Sequence, residues 1–341
     1  MLILVLLLLV VHAVSKEDCP PTEGYPKVVI GTWMLLERYA DVDKAVDTLQ
    51  EYVRAGFTSF DTADIYGQSE SILGLLQKKE PSKDLQFYTK YVTGSSDIGE
   101  ARRVNSQSRA ALGRIPDLVQ FHWWDYSDTA HIVAAKHLQI LRNEGLVEKV
   151  ALCNYDTFHT RQIVEEGVLV YSNQVQYSLV DRRPENGMLA FAKANGIRLA
   201  CFGTVAGGLL SDRYLGKSQP DLYGRGQSTV SQRMYFSNLE RWSGGNWALF
   251  QELLRTLRQV ADKHSTTIAN VAAAWVLYQL GGEGGESGGW VILGVRDAKH
   301  LDEHKDLLSV TLDAEDDETI QQVLVKGNNP VGDIWSYERA R

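Results

Sequence analysis

The feature that most constrains this chain is an alternation that repeats eight times from Val28 onward: a short apolar run, then a longer stretch with apolar residues at helical spacing. The run VVIGTW opens it, and Val42, Val46, Leu49 and Val53 then fall on one helix face. FTSFDTA ends a second strand near Asp61, with a helix expected from Ser69, and LQFYTK ends a third at Lys90. After an Arg-rich helix, DLVQFHW ends a fourth at His122, and Ala130, Ala134, Leu138 and Leu141 mark a helix stopped by Gly145. VEKVALCN reaches Asn154, followed by YSNQVQY and IRLACFG with helices between them. Residues 204–242 show no clear period. Phe250, Leu253, Leu254, Leu257 and Ala261 restore a long helix, 268–280 predicts a second, WVILGV is the last strand and 298–307 the last helix.

Strands alternating with helices imply a parallel sheet with helices outside it. Eight such units close most naturally into a (β/α)8 TIM barrel, an α/β single domain. A doubly wound open sheet is the alternative. The barrel is expected over 25–325, with a C-terminal tail over 326–341 that forms a modest flap containing Trp335 and Tyr337. The tract GGEGGESGG, residues 281–289, reads as a flexible loop.

Composition narrows the function. With 35 Lys+Arg against 43 Asp+Glu the net charge is −8, and no dense basic run supplies phosphate contacts, so no nucleic acid partner is expected. The three cysteines, Cys19, Cys153 and Cys201, have neither disulfide-framework nor zinc-site spacing. No metal is expected. Residues 2–11 form an unbroken apolar run, too short for the ~20 residues of a membrane helix. It suits a signal or targeting segment over 1–15, with small residues Val11 and Ala13 at the cleavage positions. That points to the secretory pathway or an organelle; an uncleaved segment would leave the protein cytoplasmic.

Barrel active sites are built at the C-terminal ends of the strands. Asp61, Tyr66, Lys90, His122 and Asn154 all fall there, on one rim. Taken singly each has a bland reading: a cap, a packed loop tyrosine, a solvated lysine, a satisfied core histidine. Together they support one chemistry. An ammonium beside a phenol favours the phenolate, and a carboxylate holds the ammonium in place. A histidine alongside orients a carbonyl oxygen or shares in proton relay. The set donates a proton to an oxygen that gains negative charge, as in carbonyl reduction by a reduced nicotinamide.

These residues resemble the aldo-keto reductase superfamily. GTW, FDTADIYG, YTK, DLVQFHW, LCN, NQVQY, AGGLL and ILGVR arrive in that family's order between Val28 and Leu307. The resemblance implies a (β/α)8 barrel and a catalytic tetrad: Tyr66 as general acid, Lys90 lowering its pKa, Asp61 pairing with Lys90, and His122 positioning the carbonyl. It implies that Asn154 and Gln174, with Cys153 beside them, hold the nicotinamide carboxamide, and that Phe202 stacks on the nicotinamide. Gly203, Val205 and Gly207 should run along the pyrophosphate, and Gly294, Arg296, His300, Glu303 and His304 should meet the adenosine end. Thr32, Trp33 and Asp61 complete the expected cofactor contacts. Trp33, Trp123 and Trp124 are the expected substrate wall. Arg296 suits a ribose phosphate, which favours NADPH (NADP+) over NADH. The chain departs from the family pattern at Cys153 for Ser, at Trp124 for Pro and at His304 for Asn. Phe202 also lacks the hydroxyl often found at its position.

The expected function is NAD(P)H-dependent reduction of aldehydes or ketones to alcohols, with a small-molecule carbonyl or alcohol as the partner. The alternative is a cofactor-sensing binding or regulatory subunit on the same barrel, with a protein partner and little turnover. A metal-dependent barrel hydrolase is weaker, because the His and carboxylates show no ligand spacing.

Overall fold

The structure, a computed structural model, describes residues 26–35, 41–81, 83–223, 229–281 and 288–339. The expected segment 1–15, Cys19 and most of the glycine-rich tract lie outside the described residues.

Eight strands close in chain order into a barrel: β1 (Val28–Gly31), β2 (Ser59–Asp61), β3 (Gln86–Val92), β4 (Leu118–His122), β5 (Val150–Cys153), β6 (Val170–Gln176), β7 (Arg198–Phe202) and β8 (Gly289–Gly294). Every pair is parallel, including the closing pair β1–β8. The expected barrel is the observed one.

Alternation along each strand decides which side chains go where. Val29, Tyr88, Leu118, Ala151, Ala200, Trp290 and Ile292 fill the barrel interior as one cluster. Their sequence neighbours Ile30, Phe87, Leu199, Cys201, Val291 and Leu293 face outward into the larger core beneath the helices. The β7–β8 pairing requires a glycine. Gly289 lies opposite Leu199, and a Cβ there would meet the Leu199 carbonyl oxygen at 1.9 Å.

Among the described residues the α-helices are α1 (Val42–Arg54), α2 (Ser69–Lys79), α3 (Ile98–Leu112), α4 (Ala130–Asn143), α5 (Thr157–Glu165), α6 (Met188–Ala194), α7 (Val230–Ser243), α8 (Trp247–Lys263), α9 (Ile268–Gly281), α10 (Leu301–Leu307), α11 (Ala314–Leu324) and α12 (Ser336–Arg339). In α1 the Asp41 carboxylate accepts from the Asp43 and Lys44 amides, a side-chain N-cap. Its face of Ala45, Val46, Leu49, Tyr52 and Val53 is buried. Truncating Leu49 to Ala would cost about 2–5 kcal/mol.

Three helices depart from the sequence reading, one of them the single turn α12 inside the expected tail. α7 lies in the stretch without a clear period, because buried Ser231 and Asn238 interrupt its apolar stripe. α11 lies beyond the expected last helix. Its first turn is acidic, which hides the period, but Asp313 and Asp316 form a reciprocal capping box, and Ile320, Val323 and Leu324 are buried.

Candidate active site

Because all eight strands run the same way, their C-terminal ends share one rim. Asp61 ends β2, Lys90 lies within β3 and His122 ends β4. The Lys90 ammonium donates to Asp61 Oδ1 at 2.6 Å and to the Thr62 carbonyl at 2.9 Å. Asp61 Oδ2 accepts from Gln120 Nε2 at 2.7 Å and from Gln174 Nε2 at 2.6 Å. The pair is buried, and charge without a partner would be strongly disfavoured there. Burial pushes the Lys90 pKa down, but the Asp61 carboxylate reverses that and leaves it above the usual lysine value.

Tyr66 follows β2, with its ring centroid 4.9 Å from the Lys90 ammonium. Burial pushes its phenol up to about 12, while Lys90 pulls the other way. Lys90 thus acts in the expected direction, while desolvation is the larger effect and Lys90 limits the rise. Tyr66 is a protonated donor at neutral pH.

His122 is buried, and its Nδ1 lies 2.9 Å from the Cys153 carbonyl. A carbonyl only accepts, so Nδ1 carries the proton. Burial lowers the imidazole pKa to about 4, the Cys153 carbonyl opposing and the Arg339 and Lys90 charges reinforcing. The ring is therefore neutral at pH 7, and its Nε2 is a bare acceptor. Such a nitrogen can accept from a hydroxyl but cannot donate to a carbonyl oxygen.

Several expected contacts are placed differently. Gln174, expected on a carboxamide, has its amide nitrogen engaged by Asp61 and by Gln120 Oε1 at 2.7 Å. Cys153 is buried beside it, its thiol 3.8 Å from Gln174 Oε1 and pushed up to about 12 by desolvation. The Thr32 hydroxyl donates to the Asp61 carbonyl at 2.8 Å and lies 2.6 Å from Ser69 Oγ, a strut tying β1 to β2 and α2. Trp123, expected on the substrate wall, is instead buried against Phe121 in the outer core, with its indole N–H on the Asp125 carbonyl. The strand alternation that turns His122 inward turns Trp123 outward. Trp33 and Trp124 are exposed, at 42% and 55%.

Across the rim, Gly203 and Gly207 have positive φ, and a Cβ on either would meet the Tyr235 ring of α7 within 3 Å. Their missing side chains thus admit Tyr235, with Val205 between them half-buried. At the far end Gly294 is exposed, and the Glu303 carboxylate accepts from Thr267 at 2.7 Å and faces His300 Nδ1 at 2.8 Å. His304 is turned toward α1, with Nδ1 3.2 Å from the Tyr52 hydroxyl.

Whether the rim suits a nicotinamide nucleotide can be judged from its unpartnered polar atoms. Asn154 Oδ1, Thr204 Oγ1 and both amide atoms of Gln176 are buried without a hydrogen-bond partner among the described residues. Gln176 is 3% exposed and pairs in register with Phe202, so amide and ring lie side by side on the inner face. An amide with both atoms free matches a carboxamide, and Phe202 offers a stacking face. The residues fit the group.

Sequence reasoning missed Gln120, Gln176 and Arg339. The first two could have been found: Leu118, Gln120 and His122 share one strand face, as do Gln174 and Gln176, and glutamine inside a buried strand needs a partner. Over this rim the C-terminal tail lays Trp335, with ring centroids 6.1 Å from His122, 6.3 Å from Trp124 and 6.4 Å from Phe202. Among the described residues no group of three or more His, Cys, Asp or Glu side chains could hold a metal ion.

Comparison with known proteins agrees in direction. The model of the Aldo/keto reductase family matches residues 27–325. The chain is 26% identical over 280 residues to the NADH-specific methylglyoxal reductase of Escherichia coli, covering 73% of this chain and 81% of that one. It is 24% identical to aflatoxin B1 aldehyde reductase member 2 of Rattus norvegicus, over 92% of this chain and 86% of the other. Among solved structures, a glycerol dehydrogenase from Gluconobacter oxydans superposes with a TM-score of 0.75 at 22% identity, covering 90% of this chain and 94% of that one. An aldo-keto reductase from Klebsiella pneumoniae in complex with NADPH gives 0.66 at 18% identity, with 90% and 93% covered.

Proposed function

Since the chain belongs to the aldo/keto reductase family, we propose that it is an NAD(P)H-dependent reductase of aldehyde and ketone carbonyls, with NADPH preferred. The observation that carries this reading is the buried Lys90–Asp61 pair at 2.6 Å, set 4.9 Å from the Tyr66 ring. When bound, the nicotinamide cofactor supplies the hydride that reduces the carbonyl carbon.

The protein's own residues manage the proton and the charge. Tyr66 donates its phenolic proton to the carbonyl oxygen as negative charge develops there. The phenolate left behind faces the Lys90 ammonium, which Asp61 keeps charged and immobile. The bare Nε2 of His122 accepts from the hydroxyl of the alcohol once it exists, so His122 favours the product side of the proton transfer. In the reverse direction Tyr66 is the base.

Asn154 and Gln176 are the residues we assign to the carboxamide, and Phe202 to the nicotinamide face. Arg296 is assigned to the ribose phosphate, where a guanidinium matches phosphate geometry. The Escherichia coli relative is NADH-specific by name, so the preference is tested by setting NADPH against NADH.

The test is nicotinamide oxidation with a panel of small and bulky carbonyls, with Tyr66→Phe beside the natural chain. Removing a general acid is worth about 10²–10⁴-fold in turnover. The expected result is that loss, with nucleotide affinity unchanged. Equal turnover in the variant would remove Tyr66 from the acid role. Tight NADPH binding without turnover of any carbonyl would favour the cofactor-sensing subunit.

A further inference from the structure

The C-terminal segment is fastened at several points before it ends. The Asn186 side chain donates to the Pro330 and Gly332 carbonyls at 3.0 and 2.7 Å, and Asp333 accepts from the Thr157 amide at 2.8 Å. The buried Arg183 guanidinium bridges Asp181 and Glu338, both at under 3 Å. Tyr337 lies between two guanidiniums, Arg183 at 4.5 Å and Arg241 at 4.4 Å from its ring centroid. This set of contacts fixes α12, and α12 carries Arg339.

Arg339 Nη2 donates to the Trp123 carbonyl at 2.9 Å and to the Asn154 carbonyl at 3.2 Å, with Nη1 3.4 Å from the latter. Its guanidinium also covers the Tyr126 ring at 3.8 Å. The last paired residues of β4 and β5 are His122 and Cys153. Trp123 and Asn154 each lie one residue past that ladder, where no backbone N–H among the described residues takes their carbonyls. Asn154 also has φ of 60°, a left-handed backbone that its surroundings must hold. The contacts form a closed circuit: His122, Trp123, Arg339, Asn154, Cys153, and back to His122 through its Nδ1.

We propose that Arg339 is a positioning residue, clamping the ends of β4 and β5 so that the His122 imidazole and the Asn154 amide keep their places across the site. The inference rests on the reductase reading for its meaning in turnover, while the clamp itself is testable without turnover. The groups facing His122 are Lys90 from β3, the Cys153 carbonyl from β5, Arg339 from α12 and the rings of Trp124 and Trp335. Two of them are cations, and both favour the neutral imidazole. Removing one, with the water that would follow, raises its pKa.

The experiment compares the natural chain with Arg339→Ala and Arg339→Lys, by His122 proton NMR titration, by NADPH affinity from fluorescence, and by steady-state kinetics. In Arg339→Ala the His122 titration moves up and kcat falls about tenfold or more, as a displaced catalytic group costs, while the Michaelis constant for the carbonyl changes less. Arg339→Lys keeps the charge and loses the fork, so His122 titrates as in the natural chain while kcat stays reduced. An unchanged His122 titration and kcat in Arg339→Ala overturns the proposal. Should that variant fail to fold, full kcat in Arg339→Lys overturns it instead. Because the titration needs no substrate, an inactive natural chain would count against the reductase reading alone.

Discussion

The Lys90 ammonium and the Asp61 carboxylate meet at 2.6 Å inside the barrel mouth, with side chains 4% and 7% exposed. A buried pair of this kind need not add much stability over an apolar pair, but breaking it leaves a bare charge in a poorly solvated place. Its use here is positional: it fixes one cation beside one phenol.

Asp61→Asn should therefore lower stability by about 3 kcal/mol and abolish turnover, because Lys90 loses its counter-charge. The double variant Asp61→Asn with Lys90→Met should recover much of the stability and none of the turnover. Thermal or urea unfolding checks the first half and nicotinamide oxidation the second; a double variant no more stable than the single one would contradict the account.

Gln176 has both amide atoms unpartnered in a buried place beside Phe202. Gln176→Leu should keep or raise the melting temperature, since an unsatisfied buried amide is costly. It should weaken nucleotide binding by about tenfold, the worth of one good hydrogen bond to a buried partner. Isothermal titration with NADPH measures the affinity, and unaltered binding would take Gln176 off the cofactor.

Trp335 spans the mouth in contact range of His122, Trp124 and Phe202, on a backbone with φ of 62°. Trp335→Ala should open the mouth. Bulky aryl ketones should gain in kcat/KM by several-fold relative to a small aldehyde such as propanal, whose own value should fall as packing contacts are lost. A uniform change across sizes would show that Trp335 does not select substrate.

Acid should destabilise the fold in a defined window. His122 and His131 are both buried, and desolvation holds each near a pKa of about 4, below the ordinary histidine value of 6.5. Neutral forms are favoured in the folded state, so their contribution is full above pH 6.5 and is lost as pH falls toward 4. Asp64, raised by burial to about 6, acts oppositely: its folded form takes up a proton first, which returns stability below pH 6. His304, also lowered to about 4, adds to the histidines, whereas burial raises Glu70, Asp117 and Glu185 more modestly and so sets them beside Asp64. The three histidines are displaced furthest from their ordinary value, and the net loss between pH 7 and 4.5 should be on the order of 2 kcal/mol. Urea titrations at the two pH values test this, and equal midpoints would contradict it.

Strand and helix identity was legible because short apolar runs take turns with longer stretches whose apolar residues repeat every three or four. Which of Val29 and Ile30 faces in was not legible, because both are apolar and only closure of the barrel puts Val29 inside and Ile30 under the helices. The rim order of Asp61, Lys90 and His122 was legible, since adjacent parallel strands bring their ends together. What failed locally failed for identifiable causes. The stripe of α7 is broken by polar residues that find partners only in the fold, and the acidic start of α11 makes sense only once Asp313 and Asp316 cap each other.

The sequence by itself determined the eightfold alternation, which closes most naturally into a barrel, and which polar side chains fall at the C-terminal ends of its strands. It carried no information on how those side chains divide their hydrogen bonds. Only the tertiary structure decided that Gln174 turns to Asp61 while Gln176 is left without a partner, that burial outweighs Lys90 in setting the Tyr66 phenol, and that Trp123 packs away from the mouth. Only it brought Trp335 and Arg339 back over strands more than 180 residues earlier in the chain. The reason is physical: periodicity is a property of neighbours along the chain, whereas desolvation and hydrogen-bond partition depend on every atom that closes around a group from elsewhere.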